Sequence, residues 1–296
     1  MSDQQKGWPG EAFILSNATI ESTLPVLRRY LFLVAGMRSS VVLAWETLFA
    51  FLFIGAINLL RGRPTDLFKK ENLGNLVVAA AIFGVFFPLL TFVGLEYTTA
   101  GNVAVILTFE AFTSFLLFNV FLRKPIIRAH LFGALLMMIG ALIVLSPNLE
   151  AFHAGDFIIV LAVMLPPFGN LFTERLKGKV SPEQILLFRT SVATPFFFIL
   201  AILSGESLVV PGPRIWLILV ITGALCLGAG KILWIEGINR IGTLKAASLA
   251  NVKPVLTLPF AFWILGERPL YTQLLALPFA ILGVYLLKRP VVVKPA

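Results

Sequence analysis

One stretch decides the fold: residues 249–269, which read LANVKPVLTLPFAFWILGERP. The residues up to Leu265 are almost all apolar, and a polar Gly-Glu-Arg turn follows them. An α-helix rises about 1.5 Å per residue, so about 20 residues of this kind cross the hydrocarbon core of a bilayer. The stretch therefore predicts a transmembrane helix that ends at a membrane surface.

Nine further runs of similar length predict an all-α integral membrane protein with ten transmembrane helices. Of the 296 residues, 58% are apolar and 13% are charged, whereas soluble domains are about 45–50% apolar and about 25% charged. The mean hydropathy of +0.92 agrees with this class. The predicted helices cover residues 12–33, 41–60, 76–95, 101–122, 129–146, 156–174, 184–203, 214–237, 244–265 and 272–288.

The first of these runs is unusually polar. Within residues 12–33 it contains Asn17, Glu21, Arg28 and Arg29. Such a segment is expected in a bilayer only where its polar face meets protein or a water-filled cavity. The N-terminal residues before it lack the basic region and cleavage site of a secretory signal, so we expect the first helix to remain in the mature protein.

Lysine and arginine are distributed unevenly between the two ends of the predicted helices. Sixteen fall in stretches on the side of the N-terminus and five on the opposite side. Because cytoplasmic loops are enriched in these residues, we expect a multi-pass protein of the plasma (inner) membrane with both termini in the cytoplasm. The net charge of +9 therefore reflects membrane topology and does not predict nucleic-acid binding.

The two halves of the chain repeat one another. Residues 92–112 align without a gap with residues 235–255, and after a one-residue slip residues 122–125 align with 266–269. The alternative is a chance similarity between apolar helices. Each half contains five predicted helices, and because five is odd the second copy enters the membrane from the opposite side, as in many secondary transporters. The predicted repeats are residues 1–147 and 148–296.

The stretch from Asn251 to Pro269 resembles the end of each repeat in the drug/metabolite transporter superfamily, EamA-like branch. The shared features are Pro254 within the helix, the Gly-Glu-Arg turn, and Gly283 in the last helix. The first half departs from this pattern, since Ala111 replaces the proline and Leu-Arg-Lys replaces the turn. The resemblance implies a ten-helix inverted-repeat carrier with a central cavity. Members of the superfamily move amino acids, other metabolites, sugar-nucleotides and amphipathic drugs.

Charged residues in the middle of predicted helices are the main candidates for a transport site, because a charge at the bilayer centre costs at least about 2.5–3.5 kcal/mol. Glu110 and Lys253 occupy matching positions of the two repeats, which places both near the pseudo-two-fold axis. We predict that they face each other. They form either a static ion pair that joins the halves or a pair that opens when a substrate or a proton arrives.

Two predicted helices carry an asparagine and a glutamate one turn apart. Asn17 and Glu21 lie in the first helix, and Asn170 and Glu174 lie in the sixth, its counterpart in the second half. At this spacing the two side chains of each pair share one helix face. We predict that Glu21 lines the cavity, while Glu174 has the alternative of pairing with adjacent basic residues at the membrane surface.

The remaining candidates for solute contact are Trp45, Glu46, Asn102, Lys231, Trp234 and Asn251. Alternatively, Trp45 anchors its helix at the membrane interface and Glu46 pairs with Arg28 or Arg29. The two asparagines have the alternative of bonding backbone carbonyls between helices. For Arg189 we expect a side chain that reaches towards the membrane surface.

Together these features predict a secondary transporter that moves a small metabolite by alternating access. The acids assigned to the outer half (Glu21, Glu46, Glu96 and Glu110) outnumber the bases there, which favours a cationic or zwitterionic solute. We therefore expect export of an amino acid or an amine-like metabolite. The buried glutamates make a proton a candidate coupling ion.

Two alternatives to a transporter stay open. A facilitative pore would use the same cavity, and linear flux would distinguish it from a carrier. An intramembrane enzyme is disfavoured, because the sequence contains no His-Glu-x-x-His or Gly-x-Ser-x-Gly motif. No cofactor or metal is predicted. The expected partners are the solute and the lipid bilayer, and the sequence leaves the oligomeric state open, a monomer included.

Overall fold

The computed structural model describes residues 9–61, 70–123, 126–145, 154–176, 178–241, 249–250, 252–287 and 289, and its regular secondary structure in these ranges is helical. The α-helices are α1 (Gly10–Ser22), α2 (Leu24–Leu33), α3 (Ser39–Leu60), α4 (Lys70–Ala80), α5 (Phe87–Glu96), α6 (Ala100–Leu107), α7 (Glu110–Phe115), α8 (Arg128–Leu145), α9 (Ala154–Ala162), α10 (Pro166–Glu174), α11 (Pro182–Leu203), α12 (Gly212–Val220), α13 (Gly230–Ile241), α14 (Lys253–Leu265) and α15 (Tyr271–Leu287). Three π-helical stretches extend them: Ala81–Phe86, Leu116–Phe121 and Ile221–Ala229.

Five of the described helical segments are long and apolar enough to cross a membrane: Ser39–Leu60, Glu71–Glu96, Ala154–Thr173, Pro182–Leu203 and Gly212–Gly237. Four shorter apolar helices lie in other predicted segments: Ala100–Phe115, Arg128–Gly140, Lys253–Leu265 and Tyr271–Leu286. The all-helical, multi-pass membrane class is therefore confirmed. The number of ten passes stays a prediction.

The first predicted helix is divided into α1 and α2 at Thr23. Pro25 stands in the first turn of α2 and has no backbone N–H, so it cannot continue the hydrogen-bond ladder of α1 by donating to the carbonyl of Glu21. Thr23 closes α1 locally, since its hydroxyl donates to the carbonyl of Ile20 at 2.7 Å. The break places Glu21 close to the joint, in the last turn of α1.

Three of the helical irregularities of the first half recur in the corresponding segments of the second half, whereas the π-helical stretch Leu116–Phe121 corresponds to part of the α-helix Lys253–Leu265. The first and sixth segments are broken, the third and eighth contain π-helical turns, and the fourth and ninth are broken again. The matched positions are Thr23 with 163–165, Ala81–Phe86 with Ile221–Ala229, and 108–109 with Val252. This correspondence supports the internal repeat that the sequence alignment predicted.

The helices pack in pairs that relate the two halves. Helix α3 packs on α11, α6 on α14, and α8 on α15, so each of these segments contacts its own counterpart. Helix α1 packs on α13 while α5 packs on α9, which is the same contact with the halves exchanged. A two-fold arrangement of similar units produces this pattern, and it gives each of the ten predicted segments a contact with the other half.

Glycine permits the closest of these helix contacts. A Cβ atom on Gly223 would lie 2.5 Å from the carbonyl oxygen of Glu46 and 2.7 Å from Phe49 Cβ, both on α3. Small residues at such positions let two backbones approach within a membrane. A Cβ atom on Gly74 of α4, in contrast, would have no neighbour within 4 Å among the described residues of other elements.

We expect Gly223→Ala to lower the stability of the protein by about 1–3 kcal/mol, because the added methyl group overlaps the backbone of α3. Gly74→Ala is the matched control, and it should leave stability unchanged or raise it by up to about 1 kcal/mol. Thermal unfolding of the purified protein in detergent, followed by tryptophan fluorescence, checks both. Equal unfolding temperatures for the two variants would contradict the close packing of this seam.

Candidate functional site

Glu21 is the centre of an ion cluster that joins the two halves of the chain. Its carboxylate oxygens contact Lys253 Nζ at 2.5 Å and Lys231 Nζ at 2.7 Å. Glu21 belongs to α1 in the first half, whereas Lys231 belongs to α13 and Lys253 to the first turn of α14 in the second. Along its helical segment, Glu21 is about 17 Å from either end. The cluster therefore lies in the middle of the bundle.

Two neighbours support this cluster. Asn17, one turn before Glu21, is fully buried and donates from Nδ2 to the carbonyl of Gly230 at 2.8 Å, which fixes α1 against α13. The centroid of the Trp234 ring lies 5.4 Å from Lys253 Nζ, within the range of a cation–π interaction. The Glu21 side chain is 10% exposed, while each lysine side chain is 30% exposed. The accessible side of the cluster is therefore formed by the lysines.

Arg189 on α11 adds a third basic side chain. Its guanidinium carbon lies 5.1 Å from the centroid of the Phe83 ring. It is close enough to Glu21 and Lys231 to interact electrostatically with both. The sequence predicted a side chain that reaches towards the membrane surface, and this prediction is wrong because Arg189 is directed into the bundle. Its depth in the helix was the one sequence signal that could have placed it in the site.

Glu110 and Asn170, both predicted from the sequence, contact each other. Asn170 Nδ2 donates to Glu110 Oε1 at 3.4 Å, which joins α10 to α7. The carboxylate that Lys253 contacts at 2.5 Å is that of Glu21, in place of the predicted partner Glu110. The physical reason is the packing of α1 against both α13 and α14, which inserts Glu21 between the two lysines. The alignment of the repeats matched Glu110 with Lys253 by their positions along their helices. It contained no information on how α1 packs against α13 and α14.

Glu46 takes the structural role that the sequence offered as an alternative, while the role of Trp45 as an interfacial anchor stays a prediction. Glu46 is fully buried and pairs with Arg28 at 2.6 Å, and the Arg28 guanidinium carbon lies 5.3 Å from the centroid of the Phe92 ring. Trp45 Nε1 donates to the carbonyl of Leu208 at 3.2 Å, and its ring packs edge-on against two further aromatic rings. Neither residue belongs to the Glu21 cluster.

Asn102 is occupied by a buried network at the end of the bundle. Its Nδ2 lies 3.2 Å from both carboxylate oxygens of Asp156, and its Oδ1 accepts from Gln273 Nε2 at 2.6 Å. Thr98 donates to the same carboxylate. The network joins α6 to α9 and α15, which makes Asn102 a bridge between helices. Asn251 and the side chain of Glu174 lie outside the described part of the structure.

Arg29 holds the same end of the bundle together. Its Nη1 donates to the carbonyls of Leu95 at 2.7 Å and Glu96 at 2.8 Å, and its Nε lies 3.7 Å from the carboxylate of Glu267. Glu267 also accepts from the backbone N–H of Ala100 at 3.1 Å. Burial raises the pKa of the Glu267 carboxyl, and the nearby Arg29 opposes this effect.

Two further acids near this end have arginine or backbone partners. Glu96 accepts from the backbone N–H of Ser39 at 2.8 Å and from Arg38 at 3.4 Å, and Glu46 is neutralised by Arg28. Three of the four acids that favoured a cationic or zwitterionic solute therefore pair with basic side chains of the protein: Glu21, Glu46 and Glu96. The three bases around Glu21 give the middle of the bundle the opposite sign.

Comparison with known proteins gives the family of this fold. The sequence pattern of the EamA-like transporter family matches the chain twice, over residues 8–146 and 153–289. A solved crystal structure superposes with a TM-score of 0.68 at 18% identity, covering 94% of this chain and 95% of that one, which shows a shared fold.

Three curated relatives bear the name of uncharacterized transporter. One from Synechocystis sp. is 24% identical over 71% of this chain, and the match spans 64% of that protein's length. One from Bacillus subtilis is 22% identical over 74% of this chain and 76% of its own length. One from Archaeoglobus fulgidus is 23% identical over 66% and 69% respectively. These names indicate membrane transport.

We expect Glu46→Ala to lower the stability of the protein by about 3–5 kcal/mol, because it leaves the buried Arg28 charge without its partner. Glu236→Ala is the control, since Glu236 is half-exposed and pairs with Arg240 only one turn away, where such pairs contribute about 0–1 kcal/mol. Thermal unfolding in detergent measures both. A small effect of Glu46→Ala would show that the Arg28–Glu46 pair does not hold the helices together.

Proposed function

Since the chain belongs to the EamA-like transporter family, we propose that it is a secondary transporter that moves a small metabolite across the membrane by alternating access. The proposed moving units are the inverted five-helix repeats, residues 1–147 and 148–296, with ten passes in total. The observation that carries this proposal is the Glu21 cluster. It lies in the middle of the bundle, and its carboxylate comes from one half while both lysines come from the other.

The difference between the cluster and the end of the bundle near Glu267 supports alternating access. That end is joined by Arg28–Glu46, Asn102–Asp156 and Arg29–Glu267 contacts, whereas the lysines of the cluster keep 30% of their side-chain surface exposed. One closed end and a partly accessible charged site describe one state of an alternating-access cycle. The loop charges assign the closed end to the outside, with both termini in the cytoplasm of a cell whose plasma (inner) membrane holds the protein.

The proposed solute is an amino acid or a related metabolite, moved outwards. Lys231 and Lys253 offer donors to a carboxylate, and Glu21 offers acceptors to an ammonium group. The Trp234 ring beside Lys253 provides apolar surface for the rest of the solute. The free energy for export comes from the solute gradient or from a coupled proton.

Counterflow in proteoliposomes tests this proposal. The panel consists of radiolabelled amino acids, amines, nucleosides and sugar-nucleotides, each with and without the same unlabelled solute inside. We expect saturable uptake of at least one amino acid that internal solute accelerates. Uptake that rises linearly with solute concentration and does not depend on internal solute would show that the protein is a pore and not a carrier. Absence of flux across the whole panel from folded protein would reject transport of these solutes.

We expect Lys253→Met to reduce this counterflow by about tenfold or more, because it removes a partly desolvated charge from the site. Lys179→Met is the matched control, since Lys179 is exposed in the loop before α11 and should leave counterflow unchanged. Equal loss in both variants would indicate a general effect on the protein and would contradict a solute site at Lys253.

A further inference from the structure

We infer that the Glu21 carboxylate occupies the place of a solute carboxylate, and that the solute displaces it from Lys231 and Lys253 when it binds. The recognised group is then an organic carboxylate, and Glu21 is an internal substitute for it in the solute-free state. This inference rests on the proposed function, because it takes the Glu21 cluster to be the solute site.

The charge balance of the cluster is the first argument. Glu21 supplies one negative charge, whereas Lys231, Lys253 and Arg189 supply three positive charges. A charge within a membrane protein normally faces a partner of opposite sign or a wet cavity. A solute carboxylate would reduce the formal excess of two positive charges, and a solute that is only cationic would increase it. The cluster therefore discriminates in favour of anions and zwitterions.

The geometry of the cluster is the second argument. Glu21 uses one carboxylate oxygen for each lysine, at 2.7 Å and 2.5 Å, so it bridges two ammonium groups. Any free carboxylate can form the same bridge, because a lysine ammonium imposes no fixed direction and has three donor hydrogens. The Trp234 ring lies 5.4 Å from Lys253 Nζ and provides a flat apolar surface for the organic part of such a ligand.

Accessibility and the helix break are the third argument. Each lysine side chain is 30% exposed while Glu21 is 10% exposed, so a ligand reaches the lysines before it reaches the glutamate. Glu21 lies two residues before the break at Thr23, in the last turn of α1. Reorientation of α1 relative to α2 at this joint withdraws the Glu21 carboxylate and leaves both lysines to the solute.

Ligand-dependent thermal unfolding of the full-length protein in detergent tests this inference with three probes of one shape. Benzoate carries a carboxylate, benzamide is its neutral analogue, and benzylamine is a cation at neutral pH. We expect benzoate to raise the unfolding temperature in a saturable way and the other two probes to leave it unchanged. Lys253→Met should abolish the benzoate response.

Glu21→Gln gives the outcome that distinguishes this inference from a direct role of Glu21 in binding. Removal of the internal competitor should lower the half-saturating benzoate concentration by about tenfold or more. Glu21→Asp, which keeps the charge on a shorter side chain, should give a smaller gain and serves if Glu21→Gln does not fold. Glu236→Gln, on the half-exposed pair with Arg240, should bind benzoate as the parent protein does.

Weaker benzoate binding by Glu21→Gln, a response to benzylamine in the parent protein, or no benzoate response in any variant would overturn the inference. Failure of the proposed function looks different. If benzoate behaves as expected but no solute of the panel is transported, the carboxylate site stands without transport. If amino acids show counterflow but Glu21→Gln does not tighten benzoate binding, transport stands without the displacement of Glu21.

Discussion

The contact on which the site depends is a single carboxylate held between two lysines in the middle of a membrane bundle. Removal of Glu21 leaves both lysines without their carboxylate partner in the middle of the bundle, which is more costly than loss of a surface pair. The contact also fixes the position of α1, since Glu21 reaches both α13 and α14 while Asn17 donates to α13. These contacts give the polar face of the weakly apolar first segment partners within the bundle.

The polar residues of this protein divide into two kinds of arrangement. At the end near Glu267, arginines and carboxylates are buried in networks with several partners each, as in Arg29 with two carbonyls and a carboxylate. In the middle, the lysines of the cluster are bonded to one carboxylate and remain partly exposed. Buried networks in which each group has several partners favour one rigid arrangement. An arrangement with spare donors and an exposed side leaves room for a ligand.

The two halves share a backbone plan but differ in charge. Helix breaks occur in matching segments of both halves, and so does one of the two π-helical stretches of the first half. The lysines of the cluster, however, come from the second half alone, and their carboxylate partner from the first. The backbones of the two halves thus supply equivalent joints, and the difference between the halves lies in their side chains.

The sequence by itself determined the membrane class, the position of the helical segments, the repeat, and the shared face of Asn17 and Glu21. All of these follow from the composition and periodicity of the sequence. The bilayer thickness sets the length of an apolar helix, and the helical repeat sets which residues share a face. Tertiary structure decided the partner of Lys253, the burial of Glu46 against Arg28, and the entry of Arg189 into the site. These depend on how broken helices tilt and cross, and no spacing along the chain encodes distances between side chains from different helices.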